Sequence, residues 1–365
     1  MIIRPLMILN FSVLLALYTF GCTTVGPDYK PPTAPVKENW IDVKDPLLDS
    51  TPPVEPEWWK TAFNDSVLDQ LVETALAQNF SLRSAGLRVL QARQQLAIAI
   101  GYRFPQQQQF TGSAAPKILS NNANDIFPLH EDRFVLNDLG FNLSWEADVW
   151  GRFKRQIESA SAAIDASVAG YDGIMVSLIA QVAQTYLLIR TTQQQLDVAK
   201  ENLKYQTESV RITTAKFEGG DISSLDVEQA TTLLYQTQAG MNGIELSLQQ
   251  LKNSLAILLG QPPQDMSELL GEQQPIPTVT PDVAVGMPQD LIRRRPDIRS
   301  AERRLASQSA QVGFAITELY PHFGLSGSIG TTANTAINED ADDLFSDDTF
   351  RWSIAGGFSW DVLNY

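Results

Sequence analysis

Stepping by seven from Val168 lands on Met175, Val182, Ile189, Leu196, Leu203, Val210 and Phe217, all of them apolar, and no proline interrupts residues 153–217. Apolar residues at this spacing put one stripe along one side of a helix. The pattern therefore predicts a single helix on the order of 100 Å long at 1.5 Å per residue. A second seam (Ile164, Tyr171, Leu178, Thr185, Thr192, Ala199) weakens along the chain, which predicts packing against several neighbours instead of a simple dimer. Gly170 and Gly173 are candidates for a bend near the helix start. A turn follows at Gly219-Gly220-Asp221-Ile222, with Ser223 or Ser224 able to cap the next helix. There the heptad is cleaner. Val227, Leu234, Met241, Leu248 and Leu255 make one seam, and Ala230, Thr237, Ile244, Leu251 and Leu258 the other. It stops at Gly260-Gln261-Pro262-Pro263. Two long helices joined by a tight turn form an antiparallel hairpin projecting from its base, a shape no ordinary soluble enzyme core needs.

Elsewhere the period drops to two. Phe141, Leu143 and Trp145 alternate with Asn142, Ser144 and Glu146. Phe323, Leu325, Gly327 and Ile329 alternate with Gly324, Ser326, Ser328 and Gly330, and Trp352, Ile354, Gly356, Phe358 and Trp360 with Ser353, Ala355, Gly357 and Ser359. Apolar faces ending in aromatics fit transmembrane β-strands of about 9–11 residues. An antiparallel sheet on a soluble core is the competing reading. The polar stretches 121–138 and 331–348 read as long loops suited to an extracellular side. Four strands cannot close a useful barrel, and lipid does not tolerate open sheet edges, so several chains must contribute staves to one barrel.

The chain also repeats itself. Residues 79–105 align without a gap on 295–321: Leu82-Arg83-Ser84-Ala85 fall on Ile298-Arg299-Ser300-Ala301, and Pro105 on Pro321. One deleted residue later, Trp145-Glu146 falls on Trp360-Asp361. Each copy reads as helix, strand, turn and returning strand, and repeats set architecture before residue chemistry does. Residues 66–103 carry helical periodicity interrupted near Asn79, with a new helix capped at Ser81. The expected organisation is a signal peptide (1–22), a Pro-rich strap (23–58) whose ordered structure begins at Trp58-Trp59, a first repeat (59–260), a linker (261–286) and an incomplete second repeat (287–365).

Residues 1–22 resemble an export signal, with Arg4 and an apolar run from Leu6 to Leu17 too short to span a bilayer comfortably. The run ends at Thr19-Phe20-Gly21-Cys22, where a bacterial lipoprotein signal places its acylated cysteine, although Thr19 and Phe20 match that pattern poorly. An ordinary signal peptide cut nearby, or a short anchor with an idle thiol, is the alternative. Thr23 is not the aspartate that retains a lipoprotein in the inner membrane, so lipidation at Cys22 implies the outer membrane. Cys22 is the only cysteine, which removes intrachain disulfides and cysteine metal clusters. The two histidines, His130 and His322, fall in predicted loop and strand regions. A formal charge of -15, from 42 acids against 27 bases, argues against a nucleic-acid surface. It also favours cations in a lumen if the acids face inward. The one basic cluster (Arg293, Arg294, Arg295, Arg299, Arg303, Arg304) is interspersed with Asp297 and Glu302 and reads as a solvated or interhelix ion-pair face.

These features resemble the TolC-type outer-membrane efflux factors, in particular the NodT-like lipoprotein branch serving drug-efflux pumps. The marks are Gly26-Pro27-Asp28-Tyr29 soon after the cysteine, Trp58-Trp59, the turn from Gly220 to Val227, and the stretch from Arg294 to Glu302 that begins Arg-Arg-Pro-Asp. The resemblance implies a mixed α and β fold in which long antiparallel coiled-coil hairpins form a periplasmic tunnel. It also implies a homotrimer, each subunit giving four antiparallel transmembrane strands to one barrel. It further implies a periplasmic adaptor protein and an inner-membrane pump as partners, and outer-membrane lipid around the barrel. The tip residues Gly220, Ser223, Leu225 and Asp226 would dock the adaptor; a capped helix connection, with Leu225 beginning the seam, explains the same residues structurally. Family members continue with a second pair of long helices carrying the gate. The expectation is of a piece of a longer reading frame, the alternative being a shortened product that forms no sealed duct.

An enzyme reading rests on Glu146 with Asp148, and on Asp342-Asp343 with Asp347-Asp348. No histidine, cysteine or nucleophile is placed with them in the sequence, no phosphate loop or calcium-loop spacing occurs, and polar residues at a barrel rim explain them better. No catalytic residue, metal site or cofactor is therefore expected. A lipid-anchored coiled-coil scaffold without a pore remains open. So do protein secretion of type I and metal efflux, within the conduit class.

Overall fold

A computed structural model describes residues 23–32, 48–49, 57–118, 133–278, 283–284, 292–337 and 339–363. Cys22 and His130 lie outside the described residues. In chain order the elements are β1 (Leu48–Asp49), α1 (Trp58–Phe63), α2 (Ser66–Gln78), α3 (Phe80–Gly101), β2 (Gln107–Ile118), β3 (Arg133–Ala147), α4 (Arg152–Glu218) and α5 (Ser224–Leu258). They continue with α6 (Ser267–Leu270), β4 (Val283–Ala284), α7 (Pro296–Thr317), β5 (His322–Asn334), three short 3-10 turns and β6 (Phe350–Ser359).

The repeat is visible residue for residue. α3 and α7 are each 22 residues long and begin at the aligned positions Phe80 and Pro296. The break between α2 and α3 is made by Asn79, not Ser81. Its Oδ1 accepts from the Leu82 backbone N–H at 3.0 Å, and its Nδ2 donates to the Leu258 carbonyl at 2.9 Å. Ser81 is exposed. Only Asn79 offers an acceptor for the new helix and a donor for the end of α5 at once, which is why the cap sits two residues earlier than expected.

The chain divides into two compact units. One comprises Thr33–Val89 and Ser167–Ser300 and holds the hydrophobic core. There Trp59, Leu68, Leu71 and Val72 pack with Leu178, Val182, Tyr186 and Ile189 of α4, Leu255 and Leu259 at the end of α5, and Met266 and Leu270 around α6. Each fully buried aliphatic side chain contributes about 1.5–3 kcal/mol. Residues 261–286, expected as a linker, thus carry a core helix, and β4 pairs in parallel with β1. α4 runs unbroken through Gly170 and Gly173, and an added Cβ at Gly173 would lie 3.5 Å from the Pro296 Cβ. The glycine there admits the start of α7. The basic cluster supplies ion pairs: Arg299 reaches Asp172 at 3.2 Å and Arg295 reaches Asp297 at 2.7 Å.

The other unit, Met1–Pro32, Leu90–Ala166 and Ala301–Tyr365, holds a four-stranded antiparallel sheet in the order β2-β3-β5-β6. Two of its strands outrun the expected loop limits. β3 already begins at Arg133 and β5 continues to Asn334, giving lengths of 15 and 13 residues. The alternation there is hidden by polar residues, and the extra length is held by pairing such as Leu136 with Asn334.

Candidate functional site

The sheet has two chemically opposite faces, and the register fixes both. One row across the strands reads Phe110, Phe141, Ile329, Trp352; the neighbouring row reads Gln109, Asn142, Ser328, Ser353. The polar rows are cross-linked. Asn142 Nδ2 donates to Thr111 Oγ1 at 3.1 Å, and the Ser328 and Ser353 hydroxyls are 2.8 Å apart. All ten residues of β6 are exposed, as are eleven of the twelve in β2. Neither edge strand is paired on its outer side among the described residues. A sheet with an exposed aromatic face and open edges needs both an apolar surround and further strands.

Charge on the polar face is sparse, and its carboxylates Asp138 and Glu146 are compensated. Asp138 accepts from Arg351 at 2.5 Å and from the Thr332 hydroxyl at 2.7 Å. At the opposite end, Glu146 accepts from Arg152 at 3.2 Å, and Arg152 also reaches Glu318 at 2.8 Å. His322 Nδ1 lies 2.9 Å from Glu146 Oε1. This corrects the expectation that no histidine stands with the Glu146–Asp148 pair: β3–β5 pairing brings His322 across 176 residues of chain. Asp148 has a separate task, its two oxygens accepting from the Phe153 and Lys154 backbone N–H groups to cap α4. Both carboxylates are occupied in joining strand to helix.

Indole anchors ring the same end. Trp145 Nε1 donates to the Arg103 carbonyl at 3.2 Å, and its repeat partner Trp360 donates to the Leu319 carbonyl, the aligned position, at 3.1 Å. Trp150 donates to the Pro321 carbonyl at 2.8 Å and packs on Tyr320 at 4.8 Å between ring centroids. A cluster of tryptophan and tyrosine where strands give way to helices has the character of an interfacial aromatic belt.

The segment just after Cys22 is fastened to this region. Val25 N–H donates to the Trp150 carbonyl at 3.1 Å, and Lys154 donates to the Thr24 hydroxyl at 2.9 Å. Arg155, only 2% exposed, donates to the Val25 and Gly26 carbonyls, to Asp28 and to Glu158. Gly26 has φ +89 and lies so close to Gly313 that a side chain at Gly26 would collide with it. Sequence reading singled out the Gly-Pro-Asp-Tyr motif but not Arg155, because nothing local marks which arginine on a long helix is buried.

At the helical turn the four singled-out residues come together. Gly220 has φ +80, where an L side chain would be strained. Ser223 is the N-cap of α5. Its backbone N–H and its hydroxyl both donate to Asp226 Oδ2, at 2.9 and 2.7 Å. Those bonds hold the Asp226 carboxyl below the ordinary aspartate range, the Ser223 hydroxyl being the largest cause. Leu225 is 62% exposed. The seam therefore starts at Val227, and Leu225 is a free apolar side chain beside a fixed turn.

Sequence reading also missed a buried polar chain in the core. Arg190, 1% exposed, donates to the Tyr186 hydroxyl, to the Leu270 carbonyl at 2.7 Å and to the Glu272 carbonyl at 3.3 Å. Tyr186 in turn donates to Asp65 Oδ2 at 2.7 Å, while Asp65 Oδ1 caps α2. Burial, and then the bond to Asp65, push the Tyr186 hydroxyl pKa up.

Comparison with known proteins agrees with this geometry. The model of the family described as outer membrane efflux protein matches residues 71–261. Nodulation protein T of Rhizobium leguminosarum bv. trifolii is 34% identical over 335 residues, covering 90% of this chain and 67% of that protein. The pyoverdine export outer membrane protein OpmQ of Pseudomonas putida is 31% identical, covering 77% and 60%. The chain thus spans about two thirds of the length of these relatives. Among solved structures, the outer-membrane channel OprN superposes with a TM-score of 0.81 at 33% identity, covering 92% of this chain and 73% of that one.

Proposed function

The chain belongs to the outer membrane efflux protein family, and from that premise we propose that it is the outer-membrane channel component of a tripartite efflux system. In this reading it is a passive duct for drugs or other small molecules. Three copies each give four strands to one barrel whose aromatic face meets lipid and whose Gln, Asn and Ser face lines water, and the α4–α5 hairpin extends into the periplasm. The observation that carries the reading is the two-faced sheet with both edges open. A soluble sheet would cover its aromatic face, and a pore-less scaffold has no use for a second face of polar rows. The test is conductance in planar bilayers of the product of the complete reading frame. Discrete, long-lived conductance steps are expected; folded trimer that inserts without conducting would overturn the duct.

Two sites follow from it. We propose that Cys22 carries the lipid. The fastening of Thr24 to Lys154 and of Val25 to the Trp150 carbonyl supports this, since Thr24 follows Cys22 by two residues in the sequence. Labelled palmitate should enter the parent protein and not Cys22→Ala. The turn at Gly220, Ser223, Leu225 and Asp226 is proposed to dock the periplasmic adaptor that links the duct to an inner-membrane pump, with Leu225 as the exposed apolar contact. Leu225→Glu should lose adaptor cross-linking while the trimer persists.

A further inference from the structure

We propose that Arg351 sets the charge selectivity of the barrel segment by neutralising Asp138 on the polar face. The inference deepens the duct reading and rests on it. Between the Arg351 row and the Glu146 row, the polar face carries Gln107 and Gln109 on β2, Asn142 and Ser144 on β3, Ser326 and Ser328 on β5, and Ser353 and Ala355 on β6. No charge interrupts this stretch. Beyond the pair, Lys117 is the next charge on the same face among the described residues. The pair is thus a charged belt at one end of an otherwise neutral wall, separate from the Glu146–Arg152 belt at the other.

The geometry shows how one arginine reaches an aspartate two strands away. Arg351 on β6 pairs with Gly330 on β5, and Gly330 pairs with Gly140 on β3. Strands lie about 4.8 Å apart, so Arg351 must lie flat across β5 to touch β3. Two glycines in its own row leave that lane free of side chains. Asp138 waits in the next row, already oriented by the Thr332 hydroxyl. With the pair intact, the belt adds no net charge to the lumen. The acidic composition favours cations in a lumen only if acids face inward; within the sheet, each carboxylate on the polar face has a cation beside it. Neutral, cationic and anionic small molecules meet the same wall, and the barrel segment sorts by size.

Removing Arg351 unmasks one carboxylate per subunit, a ring of three in a trimer. The test is the reversal potential in planar bilayers under a KCl gradient, using the product of the complete reading frame. Arg351→Ala should raise the potassium-to-chloride permeability ratio about threefold over the parent at low salt, because a ring of fixed charge is felt within a Debye length. Asp138→Asn should shift the ratio the opposite way. The double variant Asp138→Asn/Arg351→Ala should return to the parent value. Arg351→Lys, which keeps the charge and loses the fork, should stay near the parent and guards against a folding defect in the alanine variant. Unchanged ratios in conducting Arg351→Ala and Asp138→Asn channels would overturn the proposal. A parent that does not conduct overturns the duct reading and this inference with it.

Discussion

One heptad seam behaves in two ways along the same pair of helices. Near the core, Val182, Ile189 and Leu196 of α4 and Leu255 of α5 are buried. Further along, Leu203 and Val210 of α4 and Leu234 and Met241 of α5 are only half-buried, and Phe217 is exposed. The side chains are of the same type and the spacing does not change. What changes is the number of layers: α1, α2 and α6 close over the seam at one end, and no described element does so at the other. Apolar periodicity therefore reports a side that wants cover, not a side that has it. In the duct reading, the half-covered stretch is where helices of neighbouring subunits belong.

The harshest way to break the covered end is Arg190→Ala, which strands the Asp65–Tyr186 pair and two carbonyls. It should cost about 3–5 kcal/mol in chemical denaturation. Leu255→Ala and Leu234→Ala sharpen the comparison, since they delete the same atoms from one seam. The first should cost about 2–5 kcal/mol, the second less than about 1 in the isolated chain. Equal losses would refute the two-layer account. Smaller still, Ser223→Ala should remove on the order of 1 kcal/mol from the first turn of α5, visible as faster amide exchange there and nowhere in the core.

Titration should separate the two ends without mutation. The Asp226 carboxyl is held below its ordinary value of 3.8, so its contribution is present above that pH and fades as pH falls through the folded-state value. Amide exchange in the α5 first turn should quicken only in acid. The Tyr186 hydroxyl is held above its ordinary value of 10.0, so its contribution is present below that pH and is lost as pH rises through the folded-state value. Global stability should fall in alkali. Tyr186→Phe should remove that alkaline loss.

The long helices, the strand pairs and the repeat were legible because each depends on a local period or an internal match. Even the indole anchors follow from the repeat, since Trp145 and Trp360 bond to aligned carbonyls. What was not legible is what folding brings across distance. His322 meets Glu146, Arg155 grips the segment after Cys22, and Arg190 holds the end of α6, each through contacts more than 75 residues apart in sequence. The Asn79 cap was missed for a different reason: its second partner, the Leu258 carbonyl, is 179 residues away. The turn from Gly220 to Asp226 was the exception as a piece of local geometry, because glycine and a Ser-x-x-Asp box signal themselves locally.

The most direct test of the central claim, that this sheet has one face in water and one in lipid, is thiol accessibility at neighbouring positions of β5 in outer membranes. Ser328→Cys should react with a membrane-impermeant thiol reagent and resist a lipid-confined one, and Ile329→Cys should do the reverse. Equal labelling of both positions by the water-soluble reagent would contradict a membrane-spanning barrel and return the sheet to a soluble role.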